Sequence, residues 1–244
     1  MQSSEDRFLD GRVIAHQPLT GFRSGTDAVL LAAAVPATED EDLLELGSGA
    51  GIASLCLAAR VPGCRIYGLE LVPELVDLAR ANARANRMEA RVRFEHADAL
   101  RLPKAWRRGF RHVFCNPPFH QDEGNVSPSA ERAQALQDGG RLREWLATAL
   151  KRVVAGGTLS VIVRADRLGE ILAMLPLRGT AIFPLWPRAG EAAKRAIVQT
   201  RKNSRAAPML LGGLVLHREN GCYTEEAEAV LRHAGSLALA SPHR

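Results

Sequence analysis

The run Asn116-Pro117-Pro118-Phe119 combines an amide, two rigid prolines and an aromatic ring directly after an apolar stretch. The side-chain carbonyl of Asn116 and the backbone carbonyl of Pro117 can each accept one N–H of an exocyclic amine. Such an amine is a weak nucleophile because its lone pair is delocalised into the base, so two acceptors would hold the nitrogen toward tetrahedral geometry. Pro118 would stiffen the turn, and Phe119 offers a flat face to a base that has left its stack. These four residues are the predicted catalytic site; the alternative is a proline-rich turn that ends a strand, with Phe119 in the core.

A glycine-rich run earlier in the chain is typical of a nucleoside-cofactor turn. It reads Asp42-Leu-Leu-Glu45-Leu-Gly47-Ser48-Gly49-Ala-Gly51-Ile52. Glycines let the backbone approach a ligand where a Cβ would collide. Glu45 stands two positions before the first glycine, where a carboxylate can hold the cationic amino-acid end of S-adenosylmethionine. A dinucleotide site needs GxGxxG with a small third residue, and Ile52 occupies that position.

Two further carboxylates follow at a spacing that suits a nucleoside. Glu70 ends the next predicted strand, about 20 residues further on, and can accept both hydroxyls of a ribose. Asp98 follows the third predicted strand and could meet the amino group of an adenine. We therefore favour S-adenosylmethionine as the cofactor. The alternatives are a dinucleotide enzyme, or a tight turn that needs its glycines only for its own geometry, with Glu45 as a surface charge.

Short apolar runs alternate with longer periodic ones from about residue 42 to residue 163, which predicts a parallel sheet with helices on both faces. The predicted strands are Leu43–Leu46, Ile66–Leu69, Val92–Phe94, Val113–Cys115 and Leu159–Val163. The predicted helices are Gly51–Arg60, Pro73–Asn86 and Arg141–Arg152. Because open α/β sheets bind ligands at the carboxyl ends of their strands, the Asn116 motif should lie beside the methyl group of the cofactor.

The last third of the chain has a different pattern. Three strands with short or polar connections are predicted there, at Ala181–Leu185, Ala196–Thr200 and Leu210–Leu216, and they indicate an antiparallel edge. A helix over 224–232 should follow, with Thr224 as its N-cap. The polar stretch 121–137 predicts a mobile loop, which could close over the target base and exclude water.

Composition narrows the class of protein. The 244 residues, 46% of them hydrophobic, can form one substantial core. Apolar runs are too short for a membrane span, which needs about 20 residues, and the first residues lack a signal-peptide layout, so a cytoplasmic protein is expected. The four cysteines form no CxxC pair and indicate neither a zinc site nor a disulfide framework. His120 is read as a loop residue rather than a catalyst.

The net charge of +5 and a pI of about 9.4 favour a polyanionic partner. Basic residues concentrate in two groups. The first group is Arg188, Lys194, Arg195, Arg201, Lys202 and Arg205, and the second is Arg101, Lys104, Arg107, Arg108 and Arg111. Either group could neutralise phosphates of an RNA, and either could be a solvated face; the second is more consistent with a polar connection before the fourth strand.

With these motifs in view, the chain resembles the bacterial tRNA1(Val) adenine-37 N6-methyltransferases, within the class I methyltransferases. The resemblance covers most of the chain. Besides the glycine-rich turn and the Asn116 motif, it rests on the segments 17–31, 194–202 and 216–224. It implies a Rossmann-like α/β fold whose seven-stranded mixed sheet has the order 3-2-1-4-5-7-6, with strand 7 antiparallel.

The resemblance also implies how the chain is organised around its site. Residues 1–244 would form a single domain, with an N-terminal extension of about residues 1–40 packed over the cofactor. No metal is expected. The cofactor-binding residues predicted from the turn and from the resemblance together are Thr26, Asp27, Glu45, Gly47, Ser48, Gly49, Gly51, Glu70, Leu71, Asp98, Ala99 and Asn116.

The implied activity is methyl transfer to the exocyclic N6 of an adenine in tRNA, in the EC 2.1.1 class. The Asn116 motif itself indicates the kind of nitrogen and not the molecule that carries it. Guanine N2 in ribosomal RNA, adenine N6 in DNA and a glutamine amide in a protein therefore stay open as substrates. A scaffold that binds the cofactor without turnover is a further alternative, which the intact Asn116 motif disfavours.

Overall fold

The computed structural model describes residues 2–102, 106, 108–117 and 142–239. The strands in these ranges are β1 (Ser3–Phe8), β2 (Val13–Pro18), β3 (Asp42–Leu46), β4 (Arg65–Glu70), β5 (Val92–His96), β6 (Phe110–Cys115), β7 (Val153–Arg164), β8 (Thr180–Trp186), β9 (Arg195–Arg201), β10 (Met209–Leu210) and β11 (Leu214–Val215). The helices are α1 (Thr26–Ala34), α2 (Ile52–Arg60), α3 (Pro73–Ala85), α4 (Leu142–Arg152), α5 (Leu168–Met174) and α6 (Glu225–Leu231), with a 3-10 turn at Ala165–Arg167.

The described residues form a nine-stranded sheet in the order β10-β8-β9-β7-β6-β3-β4-β5, with β11 also paired to β8. Strand β9 is antiparallel to both β7 and β8, and the other neighbours are parallel. Strands β3 to β9 therefore have the order predicted from the sequence, and the antiparallel strand is confirmed. The predicted count of seven strands is wrong, because two short strands extend the sheet beyond β8.

These two outer strands replace the single strand predicted over 210–216. Both β10 and β11 pair with β8 in parallel, so the outermost pairing of the sheet is parallel and not antiparallel as expected, whereas the antiparallel strand β9 lies between β7 and β8 as the predicted order has it. Gly213 lies between them with a φ of 81°, and a Cβ there would approach the carbonyl oxygen of Pro184 to 2.2 Å. The chain turns here between the two short strands, and the position requires glycine because any side chain would clash with β8.

Alternate residues of the central strands enter two hydrophobic cores, one on each face of the sheet. Leu43 packs in the core that holds buried residues of α1, α2, α3 and α6, and Leu44 packs in the core that holds those of α4 and α5. Helices therefore cover both faces, as predicted. Among the residues described, no helix combines the length and the apolar character required to cross a membrane.

The N-terminal hairpin of β1 and β2 forms a separate two-stranded sheet. Its turn places Leu9 and Asp10 at φ of 53° and 56°, followed by Gly11 at 82°. The apolar pattern predicts neither this hairpin nor α1. Strand β1 is polar and never fully buried, and α1 is buried over seven of its nine residues, so neither element has an amphipathic period.

Candidate active site

The site lies at the carboxyl edge of the sheet, where the parallel strands end. Leu46, the last residue of β3, is paired with Cys115, the last residue of β6. The next residues along the chain are Gly47, which opens the glycine-rich turn, and Asn116. Neighbouring strands lie about 5 Å apart, so the two motifs that sequence analysis selected leave the sheet side by side.

The glycine-rich turn leaves open space at its centre. Gly47, Gly49 and Gly51 all have positive φ, between 54° and 87°. A Cβ added at Gly49 would meet no heavy atom within 4 Å, whereas a Cβ at Gly51 would reach Phe94 Cζ at 2.6 Å. Gly51 is therefore required by packing inside the protein, and Gly49 faces a space that a ligand can enter.

Ser48 supplies an unsatisfied polar atom to the same turn. Its backbone N–H donates to Leu69 O at 2.9 Å, which ties the turn to β4. Its side-chain Oγ is buried and finds no hydrogen-bond partner within the described part of the chain. Buried hydroxyl groups normally have a partner, so this atom fits a turn that is completed by a bound polar ligand.

Glu45 is buried beneath the first turn of α2. The carboxylate is only 3% exposed and accepts a hydrogen bond from the Ser54 hydroxyl. Burial raises the pKa of Glu45 to about 8, the Ser54 hydrogen bond opposes this rise, and the nearby carboxylate of Glu70 adds to it. A buried carboxyl with such a pKa is mostly neutral at pH 7 and becomes an anion when a cation is brought to it.

Glu70, the last residue of β4, holds three backbone amides with its carboxylate. Oε2 accepts from Gly49 N at 2.8 Å, and Oε1 accepts from Leu71 N at 2.8 Å and Val72 N at 3.0 Å. A carboxylate has about four acceptor sites, so room for a hydroxyl donor remains. Glu70 therefore both shapes the glycine-rich turn and stays available to a ribose.

The residues predicted near an adenine line the ends of β4 and β5. Leu71 is 47% exposed directly after Glu70, and its carbonyl contacts His96 Nε2 at 3.0 Å. Asp98 is half-buried, and its Oδ1 accepts from Leu100 N at 2.9 Å, while Ala99 is buried beside it. The structure thus brings Leu71 and Asp98 to the same edge as Glu70.

The reactive motif is described in its first half. Asn116 is half-buried and Pro117 is buried, both following β6 at the carboxyl edge. No hydrogen bond joins the Asn116 side chain to any residue that the structure describes, so its amide oxygen can accept an N–H from a substrate. The predictions for Pro118, Phe119, His120 and the loop over 121–137 lie outside the described residues.

Thr26 and Asp27 open helix α1. Thr26 is exposed, and Asp27 Oδ2 accepts a hydrogen bond from Arg195 Nε at 2.8 Å in an ion pair. Arg195 begins β9 and is paired with Arg164 at the end of β7, which places this ion pair at the carboxyl edge. The two terminal parts of the chain that carry the resemblance therefore meet at the site.

Asn82 is a residue at this site that the sequence analysis did not identify. It is 1% exposed on α3, and its amide accepts from His16 N at 2.8 Å while donating to His16 O and Ala50 O, each at 2.9 Å. One turn later, Asn86 makes the equivalent pair of hydrogen bonds to Ile14 N and O. The two asparagines dock β2 along the helix, and Asn82 also holds the glycine-rich turn. A faint signal existed in the sequence, namely two asparagines four residues apart on one helix.

The first basic group does not form one surface. Arg188, Lys194 and Arg195 lie around the β8–β9 connection at the carboxyl edge, whereas Arg201 and Lys202 lie where β9 ends. This seven-residue strand spans roughly 20 Å. At that far edge the Arg201 side chain donates to Gly156 O at 2.8 Å and Lys202 Nζ donates to Val153 O at 2.6 Å. The prediction of one basic surface is therefore corrected: Arg201 and Lys202 lie at the opposite edge from the other three cations, and each donates to a backbone carbonyl of the protein.

The second basic group lies largely at the amino edge. Arg108 pairs with Asp42, the first residue of β3, and covers the Tyr67 ring at 4.9 Å. Arg111 pairs with Glu41 at 3.2 Å. These contacts agree with a polar connection before β6, which was the favoured alternative. Lys104 and Arg107 lie outside the described residues.

Comparisons with known proteins agree with this geometry. Residues 22–167 match the methyltransferase small domain family. The tRNA1(Val) (adenine(37)-N6)-methyltransferase of Aeromonas hydrophila is 30% identical over 209 residues, which cover 84% of this chain and 86% of that protein. The protein of the same name from Actinobacillus pleuropneumoniae is 30% identical over 216 residues, covering 87% and 89%.

A solved structure gives the same result at the level of the fold. The crystal structure of a predicted O-methyltransferase from Agrobacterium tumefaciens superposes with a TM-score of 0.72 and is 28% identical in sequence. The match covers 86% of this chain and 98% of that one. Each of these similarities to a single protein spans more than four fifths of this chain.

Proposed function

Since this chain belongs to the methyltransferase small domain family, we propose that it transfers the methyl group of S-adenosylmethionine to the exocyclic N6 of an adenine in tRNA. Two relatives named for that activity, each about 30% identical over most of their length, support this choice of substrate. The observation that carries the proposal is the pairing of β3 with β6, from which the glycine-rich turn and Asn116 leave the sheet next to each other.

The residues of the turn fit the proposed cofactor in chemistry and in space. S-adenosylmethionine, when bound, supplies an electrophilic methyl group on a positively charged sulfur. Glu45 would hold the ammonium of its amino-acid end, the space at Gly49 would admit its backbone, and the unsatisfied Ser48 hydroxyl would find a partner. Glu70 would accept a ribose hydroxyl at the acceptor site that its three backbone hydrogen bonds leave. The remaining proposed contacts are Thr26, Asp27, Gly47, Gly51, Leu71, Asp98, Ala99 and Asn116.

The chemistry assigned to Asn116 is orientation of the amine. Its Oδ1 and the carbonyl oxygen of Pro117 each accept one N–H of the adenine amine, which turns the nitrogen lone pair toward the methyl carbon. Asn116 is neutral and is not a base, so the extra proton of the methylated nitrogen leaves to water after transfer. Pro118 and Phe119 complete the proposal as a rigid turn and a stacking face for the base.

Cations at the carboxyl edge would bind the phosphates of the tRNA. Lys194 is exposed there, Arg195 is held by Asp27, and Arg188 forms an ion pair with Glu191 at 3.2 Å. Phosphate contacts position a nucleic acid and are sensitive to salt. This assignment leaves out Arg201 and Lys202 at the opposite edge, whose side chains donate to backbone carbonyls of the protein.

A pair of charge reversals tests which edge of the sheet binds the tRNA. Lys194→Glu should raise the KM for tRNA about tenfold in 0.1 M salt and leave the affinity for S-adenosylmethionine unchanged. Lys151→Glu is the matched control, because Lys151 is an exposed lysine at the end of α4, next to the opposite edge of the sheet. Equal losses in both variants would contradict a tRNA surface confined to the carboxyl edge.

The N-terminal region completes the proposed domain. We take residues 1–244 as one methyltransferase domain in which the segment up to about residue 40 packs beside the cofactor turn. The hydrogen bonds from Asn82 to His16 and Ala50 support this arrangement, since they join the N-terminal hairpin to the turn.

The substrate proposal is tested with isotopically labelled S-adenosylmethionine and four acceptors in parallel: total tRNA, ribosomal RNA, DNA and a release factor. Label should enter tRNA and appear as N6-methyladenosine on nucleoside analysis. Label in another acceptor, or on an oxygen as the name of the Agrobacterium protein would suggest, would contradict the proposed substrate. No label in any acceptor would favour a scaffold without turnover.

A further inference from the structure

The loop between β2 and α1 projects two apolar side chains into solvent. Leu19 is 51% exposed and Phe22 is 54% exposed, and both lie within residues 18–23, called the Phe22 loop below. Single exposed apolar residues are common, whereas exposed apolar side chains that share one loop can form a patch that marks a binding site.

The Phe22 loop is closed at its base by a single side-chain amide. Gln17, which is 2% exposed, donates from Nε2 to Ser24 O at 3.0 Å and accepts from Ser24 N at 2.8 Å. Arg23 braces the inside of the loop, donating to Pro18 O and to Ser4 Oγ, each at 2.9 Å. These hydrogen bonds tie down the backbone on both sides of Phe22, which lowers the entropy that ordering the loop would cost when Phe22 binds a partner.

The same loop is anchored at the active-site edge on both sides. Before it, His16 is bound by Asn82, which also holds Ala50 of the glycine-rich turn. After it, Asp27 is bound by Arg195 at the carboxyl edge. The loop therefore runs past the rim of the site, from the cofactor turn to the cations at Arg195 and its neighbour Lys194.

We propose that Phe22 is a stacking platform for an unpaired nucleobase of the RNA substrate, one that flanks the methylated adenine. Leu19 would pack against the edge of that nucleobase. The inference rests on the proposed function and adds a contact that the Asn116 motif does not supply. An exposed aromatic ring with cations at the same edge of the sheet is a combination that can bind single-stranded nucleic acid, because the ring stacks on a base while the cations meet the phosphates. The net charge of +5 agrees with a polyanionic partner.

The test compares Phe22→Ala, Phe22→Tyr and the control Leu177→Ala. Leu177 is 53% exposed but precedes β8 at the opposite edge of the sheet. It therefore matches Phe22 in exposure while lying far from the proposed RNA surface. Steady-state methylation of tRNA gives KM and kcat, filter binding gives the affinity for tRNA without turnover, and calorimetry gives the affinity for S-adenosylmethionine. Thermal unfolding checks that each variant is folded.

Phe22→Ala should raise the KM and the dissociation constant for tRNA about tenfold, which is the loss expected for one stacked base. Phe22→Tyr should restore both, Leu177→Ala should change neither, and all three variants should bind S-adenosylmethionine as the wild type does. Unchanged tRNA binding in Phe22→Ala would overturn the proposal, and so would a loss of cofactor affinity, which would make the loop a cover for the cofactor. If the wild type itself methylates no tRNA, the proposed function fails and this inference fails with it.

Discussion

Asn82 should couple the N-terminal hairpin to the cofactor turn, and replacing it with alanine separates the two. The substitution removes three hydrogen bonds, two to His16 and one to Ala50. Each loss leaves a backbone group without its partner, in a part-buried place at His16 and in a buried one at Ala50, at a cost of about 1 kcal/mol. We expect Asn82→Ala to lower the free energy of unfolding by about 3 kcal/mol, a fall in Tm of roughly 6–12 °C.

Asn86→Ala is the matched control for this prediction. Asn86 binds Ile14 N and O as Asn82 binds His16, and its third hydrogen bond goes to Asn82 O rather than to the glycine-rich turn. Both variants should therefore lose stability, and only Asn82→Ala should also lose affinity for S-adenosylmethionine, by about fivefold for the one hydrogen bond to Ala50. Calorimetric titration with the cofactor, beside thermal unfolding, measures the two effects separately.

The reasoning is refuted if the two variants weaken cofactor binding equally. In that case the hairpin as a whole would govern the site, and the bond from Asn82 to Ala50 would have no part of its own. It is also refuted if Asn82→Ala binds the cofactor as tightly as the wild type.

Three further predictions concern the turn and two buried ionisable groups. Because the pKa of Glu45 is raised to about 8, binding of cationic S-adenosylmethionine at pH 7 should release about one proton from the wild type and none from Glu45→Gln. Calorimetric titrations in buffers of different ionisation heat measure this release. Equal binding heats of the wild type in all buffers would contradict the prediction. Gly49→Ala should cost only about 1–2 kcal/mol of stability, because alanine is strained at the positive φ of this position, yet it should abolish cofactor binding. Gly51→Ala should lose more stability, because its Cβ would also clash with Phe94. Similar unfolding temperatures for the two variants would count against this distinction. Burial lowers the pKa of His112 from its ordinary 6.5 to about 4, so the neutral imidazole contributes fully to stability above pH 6.5 and this contribution is lost as the pH falls toward 4. In chemical denaturation over that pH range, the wild type should lose up to about 3 kcal/mol of stability relative to His112→Gln. Parallel pH profiles of the two proteins would argue against this prediction.

The central sheet could be predicted from sequence because its strands are short apolar runs with turn residues on both sides. Each of the five predicted parallel strands is present, and the structure extends every one of them, β7 the most. Thr224 caps α6 as predicted, accepting from Ala227 N at 3.1 Å. Helix α1 and the hairpin were missed because their burial is set by tertiary packing, which leaves no period of 3.6 or 2 in the sequence.

The candidate site was predictable where chemistry requires particular residue types in a row. The glycine-rich turn and Asn116 are such runs, and β3 and β6 bring them together. Asn82 acts through contacts with residues far away in the chain, so its own surroundings in the sequence give only the faint signal of a second asparagine four residues later. The basic stretch 188–205 misled for the opposite reason: its members are close in sequence, but β9 carries them to opposite edges of the sheet.

The most direct test of the account is nucleoside mass spectrometry of tRNA after incubation with S-adenosylmethionine and either the wild type or Asn116→Ala. The wild type should produce N6-methyladenosine. The variant should produce none while binding S-adenosylmethionine with unchanged affinity, because Asn116 orients the amine and Glu45 and Glu70 hold the cofactor. Methylation that persists in the variant, or a variant that no longer binds the cofactor, would contradict the role given to Asn116 at the end of β6.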